Sequence, residues 1–330
     1  MSPSTVELAK KLATLLSRHK GQRCEITQLV ALSGGANNQT WRFSVPSSTG
    51  GGDNYILRLS SVQTDQGMTK EVEADIQRAA GAAHIPVAPV TWVLTPQDSI
   101  GSGYIMSLVE GETIPRKILR DEQYAQMRNQ MAFSCGQHAA RIHAIDPLKL
   151  AGLELMDVDT QISQYEEVYR GSGMRLPVIE LALRWIHNNR PTPVPPQIVH
   201  GDYRNGNFIV GPEGIRAILD WELAHLGDPM EDLAWLCVNS WRYGNWDKPV
   251  GGFGQREDLF SGYETISGTP IDPCRVHFWE VMGTLKWGIM CMMMSASDEQ
   301  SGPLAVERAV IGRRTSETEL DLLELLTGDR

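Results

Sequence analysis

Four polar side chains sit close together in the segment VHGDYRNGNFIVGPEGIRAILDWE, residues 199–222: His200, Asp202, Asn207 and Asp220. Two carboxylates and an amide at this spacing suit a phosphoryl transfer onto a hydroxyl. Such a reaction needs a carboxylate that orients the attacking hydroxyl and accepts its proton, and hard oxygen ligands that hold magnesium beside the phosphates. Asp202 fits the first role, and Asn207 with Asp220 the second. A hydrolase reading gathers His200, Asp202 and Asp220 around a metal-bound water instead, and gives Asn207 nothing to do.

Those residues need a rigid frame. The aliphatic runs QIV before His200, NFIV after Gly206 and RAIL before Asp220 read as three short strands flanking a tight loop. Upstream, residues 28–45 read as strand, Gly/Asn turn and strand, with Trp41, Phe43 and Val45 alternating, and YILRLS as a third strand. TKEVEADIQRAAGAAH predicts a helix ending near Gly81, and IPVAPVTWVL and GYIMSLV two further strands. From about Arg116 the pattern turns helical. The fold class is therefore α+β and bilobal, with an antiparallel-sheet lobe carrying one main helix over 1–109 and a larger, mostly helical lobe over 110–330.

Further helix starts are predicted at Asp228, an N-cap followed by Pro229 and by Glu231 three residues on, and at a Ser316/Glu319 capping box. The Trp and Met residues between Trp279 and Met294 read as the core of a buried helix pair. His138 and His143 are five apart on one helix, which suits neither a same-face pair nor a metal site.

Composition narrows the function classes. With a formal net charge of −10 and no Lys/Arg cluster, nucleic acid is excluded as a partner. Five cysteines without a CxxC pair point to a reduced, cytoplasmic protein. The N-terminal residues read as an amphipathic helix, and the apolar stretch MGTLKWGIMCMMM is short and interrupted by Lys286, so no membrane segment is expected. Oligomeric state stays open.

HGDYRNGN followed by ILDWE resembles the catalytic loop and metal-binding strand of the aminoglycoside phosphotransferase family. GDPMEDLAW resembles that family's closing GDPxxDLA signature, carried by Gly227, Asp228, Pro229, Asp232, Leu233 and Ala234. LSGGANNQTWRF, YILRLS, YIMSLVEGETIPRKIL and HGDYRNGNFIV are similar to the branch fused to acyl-CoA dehydrogenases, and the likeness runs roughly from residue 28 to 300. The resemblance implies a protein-kinase-like fold and a small-molecule kinase using ATP (or GTP) and Mg²⁺. Its implied acceptor is a small hydroxylated molecule: a hydroxyacyl-CoA or hydroxy acid for this branch, an aminoglycoside or other small alcohol for the wider family. A nucleotide-binding scaffold without turnover is the other alternative.

By the same resemblance, Ser33, Gly34, Gly35, Asn37 and Asn38 belong to the loop over the nucleotide phosphates. Arg58 stands where kinases place the strand lysine, a departure because its fork is not a point charge. Glu73, rather than Glu71, would pair with it. Arg204 either touches the transferring phosphate or pairs with an acid. His200 would brace the loop, and Asp228 and Asp232 would cap and brace the lobe. Acceptor-pocket residues are expected from residues 156–190 and from NSWRYGNWDKPVGGFG.

Overall fold

A computed structural model of the chain describes residues 5–32, 38–46, 52–60, 67–295 and 303–328. Helix α1 (Thr5–Lys20) leads into β1 (Thr27–Leu32), β2 (Asn38–Pro46) and β3 (Gly52–Ser60), then α2 (Lys70–Ala82), β4 (Val90–Val93) and β5 (Gly103–Ser107). These strands form one antiparallel sheet in the order β1-β2-β3-β5-β4. Arg58 therefore lies on the central strand, opposite Thr40 on one side and Tyr104 on the other.

The sheet is covered on both faces. Leu8, Leu12, Leu15 and Leu16 recur at helical spacing on α1 and pack with Phe43, Leu57 and Ile105. On the opposite face Ile56, Tyr104 and Met106 meet Ala74 of α2. The side chain of Thr69 caps α2 by accepting from the Val72 N–H. Strand β4 is shorter than its sequence suggests, because Pro86 and Pro89 have no N–H to offer a ladder.

Beyond the sheet come α3 (Pro115–Arg120), α4 (Ala125–His143), α5 (Val158–Gly171) and α6 (Pro177–Asn188). Four short strands follow, β6 (Gln197–Val199), β7 (Phe208–Gly211), β8 (Gly214–Ile218) and β9 (His225–Gly227), and then α7 (Met230–Cys237), α8 (Arg256–Ser267), α9 (Pro273–Ser295), α10 (Pro303–Gly312) and α11 (Thr315–Thr327). Helices α4 and α8 touch backbone to backbone. A Cβ on Gly136 would meet the Leu259 carbonyl oxygen at 2.0 Å, and one on Gly262 the Phe133 oxygen at 2.0 Å. The central helix α9 buries Trp279, Met282, Leu285, Ile289 and Met292 in the larger core.

Two capping expectations need correction. Asp228 does accept from the Met230 N–H at 3.1 Å, but Glu231 does not reach back to complete a box. It is buried and bonded to His225 and Gln161 instead. Ser316 lies inside α11 and donates to the Arg313 carbonyl. The turn from α10 runs straight into α11, so the first turn of α11 already has carbonyl partners: the Thr318 N–H donates to Arg314. Among the described residues no helix is long and apolar enough to cross a membrane.

Candidate active site

Strand pairing brings the four polar residues together. Strand β6 pairs with β9 and ends at Val199, delivering His200; β7 pairs with β8 with Phe208 opposite Ile218. The ladder extends one step further, where the Leu219 N–H donates to the Asn207 carbonyl at 2.8 Å. Asn207 and Asp220 thus leave the same end of one hairpin. Asp220 then adopts a left-handed conformation (φ 61°), which redirects the chain out of β8.

The loop is braced from below. His200 Nε2 is 2.9 Å from the Leu219 carbonyl, and its Nδ1 accepts from the Asp202 N–H at 3.2 Å. Burial pushes the imidazole below its ordinary range in spite of the nearby Asp232, Asp202 and Asp220, so it is a neutral brace. Asp232, from α7, accepts from the N–H groups of His200 (2.8 Å) and Gly201 (3.0 Å). Burial opposes its charge, yet His143 and these donors hold the carboxyl below its usual range. Gly201 has to be glycine: its φ is +79°, and a Cβ would stand 2.2 Å from the Leu223 oxygen.

Asp202 is fixed by three donors. Its Oδ1 accepts from Arg204 Nε at 2.9 Å and Trp235 Nε1 at 2.8 Å, and its Oδ2 from Asn207 Nδ2 at 2.6 Å. The Arg204 guanidinium also lies 4.4 Å from the centroid of the Trp241 ring, a cation–π contact.

Arg58 organises the other side. Its Nη1 lies 2.6 Å from Asp220 Oδ1 and its Nη2 3.0 Å from Glu222 Oε2. Its Nε is 2.8 Å from Glu73 Oε1, at ion-pair distance though outside hydrogen-bond alignment. Burial disfavours the guanidinium, but Glu73, Asp220 and Glu222 outweigh it and raise its pKa. Glu73 further accepts from the Tyr104 hydroxyl at 2.9 Å and from Lys70, whereas Glu71 is exposed. Asn38 donates to Glu222. Ser33, Gly34, Gly35 and Asn37 lie outside the described residues.

Sequence reading missed several members of this constellation. Glu222 follows Asp220 by two, in DWE, and could have been read as a second carboxylate. Lys70 carries no local signal. Trp235 closes the GDPMEDLAW segment, whose pattern says nothing of where its indole N–H goes. Among the described residues no group of three or more His, Cys, Asp or Glu could enclose a metal. Asn207 and Asp220 offer the hard oxygens that suit magnesium when phosphates and water complete its shell.

A five-stranded antiparallel sheet with a helix on each face, set against a helical half and joined by a polar hairpin end, defines a bilobal kinase-like α+β fold. The sequence model of the phosphotransferase enzyme family matches residues 28–268, and the chain belongs to that family. It is a small-molecule kinase. Solved structures share the architecture: a choline/ethanolamine kinase family protein from Mesorhizobium loti (TM-score 0.63, 21% identity, 91% of this chain and 92% of that one) and a spectinomycin phosphotransferase in complex with ADP and spectinomycin (0.63, 14%, 96% and 98%). Among curated proteins, acyl-CoA dehydrogenase family member 10 of Mus musculus is 28% identical over 180 residues, 51% of this chain. The match spans only 16% of that relative's length.

Proposed function

We propose that this phosphotransferase moves the γ-phosphoryl of ATP (or GTP) onto the hydroxyl of a hydroxyacyl-CoA or a free hydroxy acid. The observation that carries the reading is the fixed carboxylate of Asp202, clamped by Trp235, Arg204 and Asn207 at the hairpin end that also bears Asp220. In this reading Asp202 orients the acceptor hydroxyl and takes its proton. Arg204 faces the transferring phosphoryl, and Arg58, positioned by Glu73, faces the nucleotide phosphates. By the family resemblance, residues 33–38 would belong to the loop over those phosphates. Asn207 and Asp220 would hold Mg²⁺, which when bound offsets charge on the phosphate oxygens.

The acyl assignment draws on the curated relatives, which are named acyl-CoA dehydrogenases, and is a proposal for this chain. The lobes would divide at 109/110, where the Arg216 guanidinium holds the Glu110 carbonyl and Glu112 pairs with Val210. Five free thiols support a reducing compartment, the cytoplasm. The hydrolase alternative is disfavoured because both His200 ring nitrogens are already engaged within the protein.

The test is ATP consumption over hydroxyacyl-CoAs, free hydroxy acids, aminoglycosides, and amino and sugar alcohols. Turnover with an acyl or hydroxy-acid acceptor, absent in Asp202→Ala, is expected. Turnover confined to aminoglycosides would remove the acyl assignment, and unchanged turnover in Asp202→Ala would remove that residue from its role.

A further inference from the structure

A cavity of about 420 Å³ opens between α2, α5, α9 and the segment after Asp220. Met68, Val72, Met156, Tyr165, Leu223 and Met290 give it an apolar lining. One charged group in its wall has no task in the mechanism above. Lys286, on α9, is 9% exposed, and its Nζ stands over the rings of Trp235 (4.9 Å) and Tyr165 (5.8 Å). A lysine is rarely buried to this degree without a close partner. Here Glu231 Oε1 is 3.8 Å away, beyond hydrogen-bond reach.

Three carboxylates, Glu154, Glu222 and Glu231, share this wall with Lys286 and His225. Glu231 already takes Gln161 Nε2 at 2.7 Å and His225 Nε2 at 3.0 Å on its other oxygen. Burial works against a charged His225, but Glu231 prevails and raises its pKa. Of the other two, Glu222 is bound to Arg58 and Asn38, and Glu154 is exposed. Burial likewise disfavours the Lys286 ammonium, but Tyr165, Glu231 and Asp202 keep it protonated. The cavity adjoins the proposed base, Asp202, through a shared neighbour. Trp235 joins them, with its N–H on Asp202 and its ring face under Lys286.

From this arrangement we propose that Lys286 is the acceptor-recognition residue, binding an oxyanion of a hydroxylated substrate whose aliphatic body fills the apolar cavity while its hydroxyl meets Asp202. Lys286 has the neutral Tyr165 hydroxyl as a hydrogen-bond partner and Glu231 only at 3.8 Å, so an arriving anion supplies a charged acceptor at closer range, in a setting where charge-assisted bonds are strong. The same charge repels cationic acceptors, so specificity comes from rejection as well as attraction. This inference rests on the phosphotransferase reading and narrows it to anionic acceptors.

The test compares acceptors of matched length: ω-hydroxy acids of four to eight carbons, the corresponding diols and amino alcohols, and the CoA thioesters of the same acids. The wild type is expected to rank acid or thioester above diol, and diol above amino alcohol, in kcat/KM. Lys286→Met should cut the acid-to-diol ratio at least tenfold, mainly through KM, and Lys286→Arg should restore part of it. Because the readout is a ratio within each variant, a general loss of stability does not mimic it. A ratio lost for the free acids identifies a carboxylate as the bound group, and one lost only for the thioesters a CoA phosphate. An unchanged ratio in Lys286→Met, or a wild type that prefers amino alcohols, overturns the inference and leaves the phosphotransferase reading standing. No ATP consumption with any acceptor of this or the wider panel overturns both.

Discussion

Arg58 and Asp220, 162 residues apart in sequence, meet at 2.6 Å, and the same guanidinium reaches Glu222 and Glu73. Without it, three carboxylates would share a largely buried site with Lys70 as their main counter-charge. Arg58→Met should therefore lower unfolding stability by about 3 kcal/mol, the scale for breaking a buried ion pair, tempered by the partial exposure of Asp220 and Glu222. Urea denaturation of the two proteins measures it, and a change below about 0.5 kcal/mol would show the cluster to be energetically idle.

Trp235 contributes one hydrogen to the proposed base, and Trp235→Phe removes it while keeping a ring beside Trp241. A hydrogen bond to a charged group is worth about 1.5–3 kcal/mol. We expect kcat to fall by about tenfold or more, since the carboxylate has lost a donor. An unchanged kcat would mean that the indole only packs.

For Asp202→Ala, the expectation is a loss of turnover of about 10³-fold, within the range for removing a general base. Calorimetric titration with Mg·ATP should give nearly the wild-type affinity, because Arg58 and Asp220 remain. Asp220→Ala should weaken that binding as well.

The His225–Glu231 pair makes stability depend on pH at both ends. His225 has its pKa raised in the fold, so its contribution is complete below the ordinary histidine value and disappears as pH climbs through the folded value. Glu231 is lowered: burial opposes its charge, but His225, Lys286 and Gln161 overcome it. Its contribution is complete above the ordinary carboxyl value and is lost as pH falls through the folded one. Denaturation midpoints followed from pH 4 to pH 9, roughly spanning both ordinary values, should show a plateau that His225→Gln flattens on the alkaline side.

Gly262→Ala places a Cβ against the Phe133 oxygen and forces α4 and α8 apart. Overpacking of this kind costs about 1–3 kcal/mol. Thermal unfolding should record a lower midpoint, and a midpoint equal to that of the wild type would mean that the helices separate freely.

Much of this molecule was legible from local pattern. Alternation in β2 and the polar loop 200–207 between aliphatic runs both come from spacing that neighbouring residues determine. What stayed hidden depends on distant chain segments meeting. Lys70 is an ordinary helix lysine until Glu73 and Glu222 surround it, and Lys286 sits in a run of Trp and Met that reads as plain core. Glu231 has the spacing of a capping-box residue but obeys a stronger claim from His225. In these cases packing between elements, rather than the local pattern, chose the neighbours.

Arg58 and Asn38 belong to the sheet, while Asp220 and Glu222 belong to the helical half, so the two halves are clasped here by exchangeable charges. On the proposed reading, a visitor rich in anionic oxygens takes over the guanidinium from these carboxylates without baring any greasy surface to water, and its entry is a swap of counter-ions at Arg58.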